Sequence, residues 1–583
     1  MAQQPRKDVV IIGYGAAAGP ISTELAKAGY SVVALERGEW RTTDDFSGRT
    51  FDTLRFAHRG ELLPKQSEVA LTFRSDLEDV ARPTQYIMAN MVGGASVHWS
   101  GQSWRYYEED FHLRTTLEEM YGAERLAYLE EDGANIQDWP LTYEELEPYY
   151  DKMEYYIGVG GFPGNIQGEI RPVNPEEGNP FEAPRERDFP MRPLRDNATD
   201  ITFREGALAL GLNPFHVPTA INTEAYTNPD GLERPACSYC AFCTDYGCWN
   251  DSKASSLVAL LPTALETGNM EVRPNSHVLR INHENGRAVS VDYLDLITGE
   301  QHTQPGDIFY MGAYTFQNVR TLLRSGITGG GQVGKYFMNR SGPSVSAYFD
   351  DRYLNGWAGP AVQRQGLDDY NGENNAEEKM QLSDEDFFVR GAFIGSPSQR
   401  HPLEAYNIVP PDVPRWGRAF KDYWLENFNR IISLQILQEP LPYETSYIDL
   451  DPTYVDQYGV PVARVQRQAK QNEIRMSRYM FQKATEILEA AGAARVWGNS
   501  TPRPTATMTH DTGGLRMGSD PSMSVTNKYG QMWEIPNILV GGGALLPTMS
   551  GHNPTETIWT LSYWTADAVL ENKIDLEDAQ AFT

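Results

Sequence analysis

Cysteine is scarce in this chain, which excludes a scaffold held together by disulfide bonds. Only four cysteines occur among the 583 residues, and all of them lie between Cys237 and Cys248. Disulfide-dependent secreted domains carry more cysteines for their length and distribute them along the sequence. Long hydrophobic runs are missing as well, because no stretch approaches the roughly 18–20 apolar residues that a membrane-spanning helix requires. The sequence therefore predicts no direct membrane span and leaves the clustered cysteines to be explained.

Basic residues are also in short supply. The chain has 50 lysines and arginines against 79 aspartates and glutamates, which gives a formal net charge of −29 at pH 7. The negative electrostatic field of such a chain repels phosphodiester backbones, so we expect no nucleic-acid partner. The stretch Met1–Asp8 contains neither a hydrophobic signal region nor a twin arginine, and we expect no export signal in it. Apolar residues at 40% predict a globular protein with an ample core.

The first forty residues follow the pattern of a dinucleotide-binding unit. The apolar run Asp8–Ile12 predicts a parallel strand buried on both faces, and the helical stretch behind it ends near Lys27. A second β-branched run, Ser31–Leu35, ends at Glu36. This order of strand, glycine-rich loop, helix, strand and acidic residue is typical of a β-α-β unit that binds NAD or FAD. An acidic residue at that place argues against NADP, whose 2′-phosphate is usually met by arginine.

Three glycines and the acidic residue carry the predicted cofactor contacts. Gly13 permits the tight turn, Gly15 lets the backbone approach the pyrophosphate, and Gly19 lets the helix pack closely. The start of that helix offers free N–H groups and a partial positive charge to the phosphates. Glu36 is placed to accept hydrogen bonds from the adenosine ribose. An ordinary glycine-rich turn is the alternative interpretation of this segment.

A second glycine-rich segment favours FAD over NAD. The stretch Asn90–Gly101 contains Gly93, Gly94, Ser96 and His98. A flavin ring has to lie flat against backbone, and glycines permit that approach. A plain turn is again the alternative. Near the other end of the chain, a predicted buried strand, Asn537–Val540, runs into further glycines.

Four blocks in a fixed order resemble the glucose–methanol–choline (GMC) oxidoreductase family. They are the N-terminal glycine motif with its acidic residue, the Gly93–Ser96 loop, the block His510–Gly518 and the block Gly551–Thr557. The resemblance implies an α/β fold, α+β overall, with a Rossmann-like FAD-binding domain and a discontinuous substrate domain built on an antiparallel sheet. It places the FAD-binding domain in residues 1–110, 216–330 and 500–583, and the substrate domain with its cap in residues 111–215 and 331–499.

The resemblance also implies a catalytic pair. His510 matches the histidine that takes the hydroxyl proton while hydride passes from the alcohol carbon to flavin N5, and Asn553 matches its partner. A hydrogen-bonded core histidine is the alternative for His510, and His552 competes with Asn553 for the substrate-facing position. His98 resembles the histidine that tethers FAD covalently in pyranose oxidases, although a simple contact also fits. By the same resemblance we expect FAD contacts from Val278, Gly543, Ala544, Pro554 and Thr555.

The cysteine loop, residues 237–248, has the spacing C-x2-C-x2-C-x4-C through Cys237, Cys240, Cys243 and Cys248. Zinc sites usually divide their ligands into two separated pairs, whereas compact thiolate sets hold iron–sulfur clusters. We expect a [3Fe–4S] cluster on three of the cysteines or a [4Fe–4S] cluster on all four. Zinc, a disulfide or free thiols stay as alternatives.

A cysteine loop at this place resembles the flavoprotein subunits of gluconate 2-dehydrogenase, fructose dehydrogenase and FAD-dependent sorbitol or glucose dehydrogenases. The resemblance implies a small partner subunit that supplies an export signal and a cytochrome c subunit or quinone-linked acceptor. The expected location is then periplasmic, or cytoplasmic if the chain acts alone. We expect an FAD-dependent oxidation of a CH–OH group in a sugar, polyol or aldonate. The alternatives are a soluble sugar or glycoside oxidase that uses oxygen and, from another class, an NAD-using or non-catalytic flavin-binding protein.

The middle of the chain supports further predictions of secondary structure. An apolar stripe at helical spacing predicts an amphipathic helix over Gln471–Ala491. The segment Asp368–Glu378 is rich in Asn, Asp, Glu and Gly and predicts a mobile surface loop. The strands expected in the substrate domain are Val345–Phe349, Phe387–Phe393, Arg430–Leu437 and Ser446–Leu450.

Overall fold

The computed structural model describes residues 2–46, 62, 71–75, 81–84, 88–170, 178–356, 359–360, 362–396, 408–502 and 509–579. In chain order its strands are β1 (Ala2–Gln3), β2 (Lys7–Ile12), β3 (Val32–Leu35), β4 (Leu71–Ser75), β5 (Arg82–Thr84), β6 (Asn165–Ile166), β7 (Glu169–Ile170), β8 (Phe215–His216), β9 (Tyr226–Thr227), β10 (Glu233–Arg234), β11 (Met270–Arg273), β12 (Ser276–Glu284), β13 (Arg287–Asp295), β14 (Gln301–Met311), β15 (Ser344–Tyr348), β16 (Gln365–Leu367), β17 (Ala392–Gly395), β18 (Ile431–Gln438), β19 (Tyr447–Val455), β20 (Pro461–Arg467), β21 (Arg495–Asn499) and β22 (Ile538–Val540).

The α-helices are α1 (Ala18–Lys27), α2 (Thr43–Phe46), α3 (Glu108–Phe111), α4 (Leu113–Glu131), α5 (Tyr143–Ile157), α6 (Ala198–Ala209), α7 (Leu261–Glu266), α8 (Thr315–Arg324), α9 (Ala376–Met380), α10 (Gly417–Asn427), α11 (Gln471–Ala490) and α12 (Thr555–Leu570). A π-helical turn, Ser256–Leu260, precedes α7. Within the described ranges, none of these helices is both long enough and apolar enough to cross a bilayer.

The main sheet has the Rossmann-like architecture expected from the N-terminal motif. Its strand order is β11-β3-β2-β14-β13-β12, and β1 and β22 also pair with β14. The pairings of β2 with β3 and with β14, of β11 with β3 and of β22 with β14 are parallel. Val9, Val10 and Ile11 in the central strand are fully buried, because helices cover one face and the rest of the core covers the other.

A second, six-stranded sheet is antiparallel throughout, in the order β21-β15-β18-β17-β16-β8. Helix α11 packs on it, and Met476, Met480 and Ile487 of the helix share one hydrophobic cluster with Val345 and Ile432 of the sheet. The amphipathic helix and the strands predicted near residues 345 and 430 are therefore confirmed, with bounds that differ by one residue. Apolar periodicity was a sufficient signal for them because both elements bury one continuous face.

Three predictions in the middle of the chain are only partly confirmed. Of the strand expected at Phe387–Phe393, only Ala392 and Phe393 belong to a strand, β17, because Arg390 has a φ of +65° and its side chain turns into buried ion pairs. The strand near residue 446 exists as β19 but belongs to a separate four-stranded sheet, β19-β20-β4-β5. The expected surface loop Asp368–Glu378 is only partly exposed: Asn374, Glu377 and Glu378 lie at the surface, whereas Asp368 and Asn371 are fully buried.

The two large sheets draw on different parts of the chain. Every strand of the main sheet falls within residues 1–110, 216–330 or 500–583, and the strands of the antiparallel sheet fall within 331–499 except β8. Strand β8 crosses the expected limit at residue 215. The domain limits themselves stay a prediction.

Candidate active site

A large cavity lies where the parallel strands of the main sheet end. Gly13 follows β2, Glu36 follows β3, Gly312 follows β14, and Gly542 lies just beyond β22. All four line a cavity that encloses about 1740 Å³, part of it open to solvent. Crevices at the carboxyl ends of parallel strands are the usual ligand sites of open α/β sheets. The strands thus deliver the predicted cofactor residues to one place.

Two glycine segments that lie far apart in the sequence meet in this cavity. A Cβ on Gly94 would lie 2.9 Å from the Cα of Gly15, and Gly94 has a φ of +52°. A Cβ on Gly13, where φ is +83°, would lie 2.5 Å from the Cα of Ala313. Side chains at these positions would therefore fill a narrow groove of bare backbone. A flat, extended ligand such as FAD fits a groove of this kind.

Glu36 is a buried carboxylate in the wall of the same cavity. Its Oε2 accepts a hydrogen bond of 2.8 Å from the Tyr14 N–H, and its Oε1 accepts one of 2.8 Å from the Gly38 N–H. Burial raises the pKa of Glu36, although these two backbone hydrogen bonds act in the opposite direction. Each carboxylate oxygen keeps a further lone pair for a ligand hydroxyl. Val278, which is 7% exposed, lies in the same cavity wall.

The other predicted cofactor residues divide into two groups. Ser96, His98, Gly543, Pro554 and Thr555 line the cavity together with the residues described above. The Ser96 hydroxyl already makes hydrogen bonds within the protein. It donates to the Gly93 carbonyl at 2.6 Å and accepts from the Ser256 N–H at 3.0 Å.

Three predicted cofactor residues lie behind the cavity wall instead. A Cβ on Gly19 would lie 2.6 Å from Leu260, one on Gly93 would lie 2.8 Å from Val97, and Ala544 is fully buried in the core. These positions need small residues because neighbouring elements pack closely there. The motif indicated the right segments, but it could not separate residues that line the cavity from residues that support it.

His510 and Asn553 lie side by side in the cavity wall. The Nε2 atom of His510 is 3.0 Å from the Nδ2 atom of Asn553. The indole N–H of Trp104 donates to Oδ1 of Asn553 at 3.0 Å. Because an indole nitrogen can only donate, this bond fixes the orientation of the amide and turns its NH2 group toward His510.

Arg340 holds the other side of His510, and no sequence motif pointed to it. Its Nε donates to Nδ1 of His510 at 2.9 Å. Its Nη2 donates to the carbonyl oxygens of Ser550 at 2.7 Å and His552 at 2.5 Å, and its Nη1 donates to that of Gln438 at 2.8 Å. Burial lowers the pKa of Arg340 to about 10. One guanidinium therefore joins the end of β18, the His510 segment and the loop that carries Asn553.

These neighbours keep His510 neutral. Burial, and then the charge of Arg340, hold the pKa of His510 well below its ordinary value of 6.5. Both ring nitrogens face N–H donors, from Arg340 and from Asn553. A neutral imidazole has one lone pair for such donors, and a protonated imidazole has none. Protonation of His510 is opposed on both sides of the ring.

His552 faces away from the cavity. Its Nε2 is 2.8 Å from Oδ2 of Asp368, its Nδ1 is 3.0 Å from the Arg105 carbonyl oxygen, and its ring stacks on Trp104 at 4.4 Å. Burial opposes protonation of this ring, but the charge of Asp368 and the hydrogen bonds to Asp368 and to the Arg105 carbonyl together outweigh it and raise the pKa of His552. The structure therefore places Asn553, and not His552, beside His510. Asp368 comes from the segment expected to be a surface loop.

The cysteine loop packs against the cavity. The buried Lys253 ammonium donates to the carbonyl oxygens of Trp99, Cys243 and Tyr246 at 2.7, 2.6 and 2.9 Å. Thr244 and Asp245 of the loop line the cavity wall. A group held by this loop would therefore lie close to a ligand in the cavity.

The four cysteines are free thiols rather than disulfides. Burial raises the pKa of Cys237 to about 11 and also raises the pKa of Cys243. In the part of the chain that the structure describes, no three Cys, His, Asp or Glu side chains are grouped closely enough to hold a metal ion. The thiols therefore do not form a ready-made ligand set.

Comparison with known proteins decides the family. Two family models described as GMC oxidoreductase match residues 131–340 and 442–562. The gluconate 2-dehydrogenase flavoprotein of Pantoea cypripedii is 33% identical, over 97% of this chain and 93% of its own. The chain belongs to the GMC oxidoreductase family. It is thus an FAD-dependent oxidoreductase, as the ordered sequence blocks predicted.

Other members of the GMC family match along the whole chain. The fructose dehydrogenase large subunit of Gluconobacter japonicus is 24% identical, over 97% of this chain and 98% of its own. The crystal structure of pyridoxine 4-oxidase from Mesorbium loti superposes with a TM-score of 0.59 at 13% identity, over 97% of this chain and 99% of that one. This structural likeness shows that the two chains share one fold over nearly their whole length.

Replacing Arg340 tests its control of His510. In Arg340→Met the charge beside Nδ1 is lost, so the pKa of His510 should rise toward 6.5. Since neutral His510 is the form present above its pKa, the acid limb of kcat/KM should move to higher pH. The Arg340→Lys variant keeps the positive charge, so the acid limb of its kcat/KM profile should stay at low pH. The exposed Arg418→Met serves as the matched control. An acid limb at the same pH in all four proteins would contradict this account.

Proposed function

We propose that the protein oxidises a CH–OH group of a sugar, polyol or aldonate. The observation that carries the proposal is the His510–Asn553 pair in the wall of the cavity formed by the two glycine segments. FAD, when bound, supplies the acceptor for the hydride that leaves the alcohol carbon. The residues that would hold it are Gly13, Gly15, Glu36, Gly94, Ser96, His98, Val278, Gly543, Pro554 and Thr555.

The pair has the groups that an alcohol oxygen needs. The NH2 group of Asn553, oriented by Trp104, can donate a hydrogen bond to the oxygen, and Nε2 of His510 can accept the hydroxyl proton. Proton acceptance requires the tautomer with its lone pair on Nε2. The Asn553 amide favours that tautomer and the Arg340 N–H opposes it, so the two neighbours together set the basicity of His510.

The neighbours also fix the geometry in advance. Trp104 and His552 are buried and stacked, and Arg340 is 2% exposed, so neither catalytic side chain has to be ordered when substrate binds. Holding donors and acceptors in place before the reaction is a main source of enzymatic rate enhancement.

We further propose that the thiols of the cysteine loop, which are not grouped in this structure, come together when an iron–sulfur cluster binds. Electrons would then leave through this loop to a cytochrome c subunit or a quinone-linked acceptor. Support comes from the position of Thr244 and Asp245 in the cavity wall and from a relative that is named as the large subunit of a fructose dehydrogenase. The iron–sulfur cluster, the small partner subunit and the periplasmic location remain proposals. Alcohol oxidation at His510 does not depend on them.

Anaerobic flavin reduction tests the alcohol chemistry. Holoenzyme mixed with D-glucose, D-fructose, D-sorbitol or D-gluconate should lose its flavin absorbance with at least one of them. The His510→Ala variant should retain its bound flavin. Its flavin should be reduced by the substrate roughly 10²–10⁴-fold more slowly than in the wild-type protein, because this is the usual contribution of a general base. His283→Ala, at an exposed position, is the matched control. Reduction of the His510→Ala flavin at the wild-type rate would contradict the role of His510.

Chemical analysis tests the cysteine loop. The purified protein should contain three or four iron atoms and a similar amount of acid-labile sulfide per chain. Its absorbance should extend beyond the flavin bands and bleach with dithionite, and Cys243→Ser should remove this absorbance. A purified protein that contains neither iron nor acid-labile sulfide would contradict the proposed iron–sulfur cluster. Peroxide formation in air would then favour the oxidase alternative.

A further inference from the structure

Gln102, Gln363 and Gln435 line the cavity wall together with His510 and Asn553. Gln102 and Gln363 are 1% and 2% exposed. Among the residues that the structure describes, neither Nε2 of Gln102 nor Oε1 of Gln363 has a hydrogen-bond partner. Buried amide groups are nearly always paired, so two unpaired ones in a ligand cavity indicate a ligand that completes them.

The antiparallel sheet sets the position of two of these amides. Phe393 of β17 pairs with Leu437 of β18, and both pack in one cluster with Trp104, which hydrogen bonds to Asn553. Two residues along each strand, on the same face, Gly395 pairs with Gln435. The side chain of Gln435 therefore lies on the same face of the sheet as Phe393 and Leu437. It is next to the cluster of residues that supports Asn553.

Gly395 makes room for the second amide. A Cβ on Gly395 would lie 3.0 Å from Cγ of Gln363 and 2.8 Å from the Phe393 ring. The glycine thus lets Gln363 lie over the sheet beside Gln435. Gln102 reaches the same cavity from another direction, two residues before Trp104 on a segment that forms a β-bridge with Thr219. Ser100 donates to its Oε1 at 3.2 Å, which leaves the NH2 group for a ligand.

We infer that Gln102, Gln363 and Gln435 bind the hydroxyl groups of the substrate that are not oxidised, and that the substrate is a neutral sugar or polyol rather than an aldonate. This inference rests on the proposed function. An unpaired amide oxygen and an unpaired amide NH2 group together match hydroxyls, which donate and accept hydrogen bonds at once. A carboxylate only accepts, so Oε1 of Gln363 would oppose it. The last side-chain torsion of glutamine, χ3, has broad energy minima, so each amide can rotate to face a hydroxyl group of the substrate.

The test compares two six-carbon substrates that both have a primary alcohol but differ in the number of their other hydroxyl groups. Anaerobic flavin reduction is followed with D-sorbitol and with 1-hexanol, and D-glucose, D-fructose and D-gluconate are tested beside them. The wild-type protein should prefer the neutral polyhydroxylated compounds to gluconate and to 1-hexanol. Gln363→Leu and Gln435→Leu should each lower kcat/KM for the best neutral compound about three- to tenfold, mainly through KM, because each loses one hydrogen bond. The rate with 1-hexanol should stay the same or rise.

The control is Gln482→Leu, which makes the same change at an exposed position on α11. Equal losses with 1-hexanol and the neutral compound would show a merely structural role and overturn the inference, as would wild-type values in both variants. Reduction by gluconate alone would overturn the inference and leave the proposed alcohol oxidation standing. If none of these alcohols reduces the flavin, the proposed function itself fails.

Discussion

A chain of hydrogen bonds from Trp104 through Asn553 and His510 to Arg340 holds the two halves of the site together. Trp104 packs on the antiparallel sheet, whereas His510 and Asn553 lie in the segments that return to the main sheet near β22. Arg340 closes the chain by binding His510 and the end of β18 at Gln438. Every step proposed for the alcohol depends on this arrangement, because it sets both the distance between the two catalytic side chains and the protonation state of His510.

Buried charges help to hold the loop that carries Asn553. Glu439 accepts the Gly551 N–H at 2.7 Å and forms an ion pair of 2.6 Å with Arg390, while Asp368 holds His552. Charges in a dry interior are costly unless they are paired and hydrogen bonded, and here each has partners. The result is a rigid loop with few alternative conformations. Rigid support of this kind is what a site needs to present an amide and an imidazole at fixed distance.

The parts of the fold that the sequence could predict are those in which one short pattern decides the structure. The strand–glycine–helix unit up to Glu36 and the helix starting at Gln471 depend on local periodicity and on glycines at fixed places. Arg340 could not be found in this way, since its partners lie about 100 to 210 residues away in the chain. Asp368 was misplaced because a run of polar residues is typical of a surface loop, yet its carboxylate is buried against His552 and Tyr107. Polar side chains with distant partners leave no periodic signal.

The most direct test of the account is a crystal structure of the protein with FAD bound. We expect the adenosine ribose at Glu36, the pyrophosphate beside Gly13 and Gly15, and the isoalloxazine ring between the Gly94 segment and the His510–Asn553 pair. An isoalloxazine ring outside this cavity, or a bound state in which His510 and Asn553 no longer face it, would contradict the account.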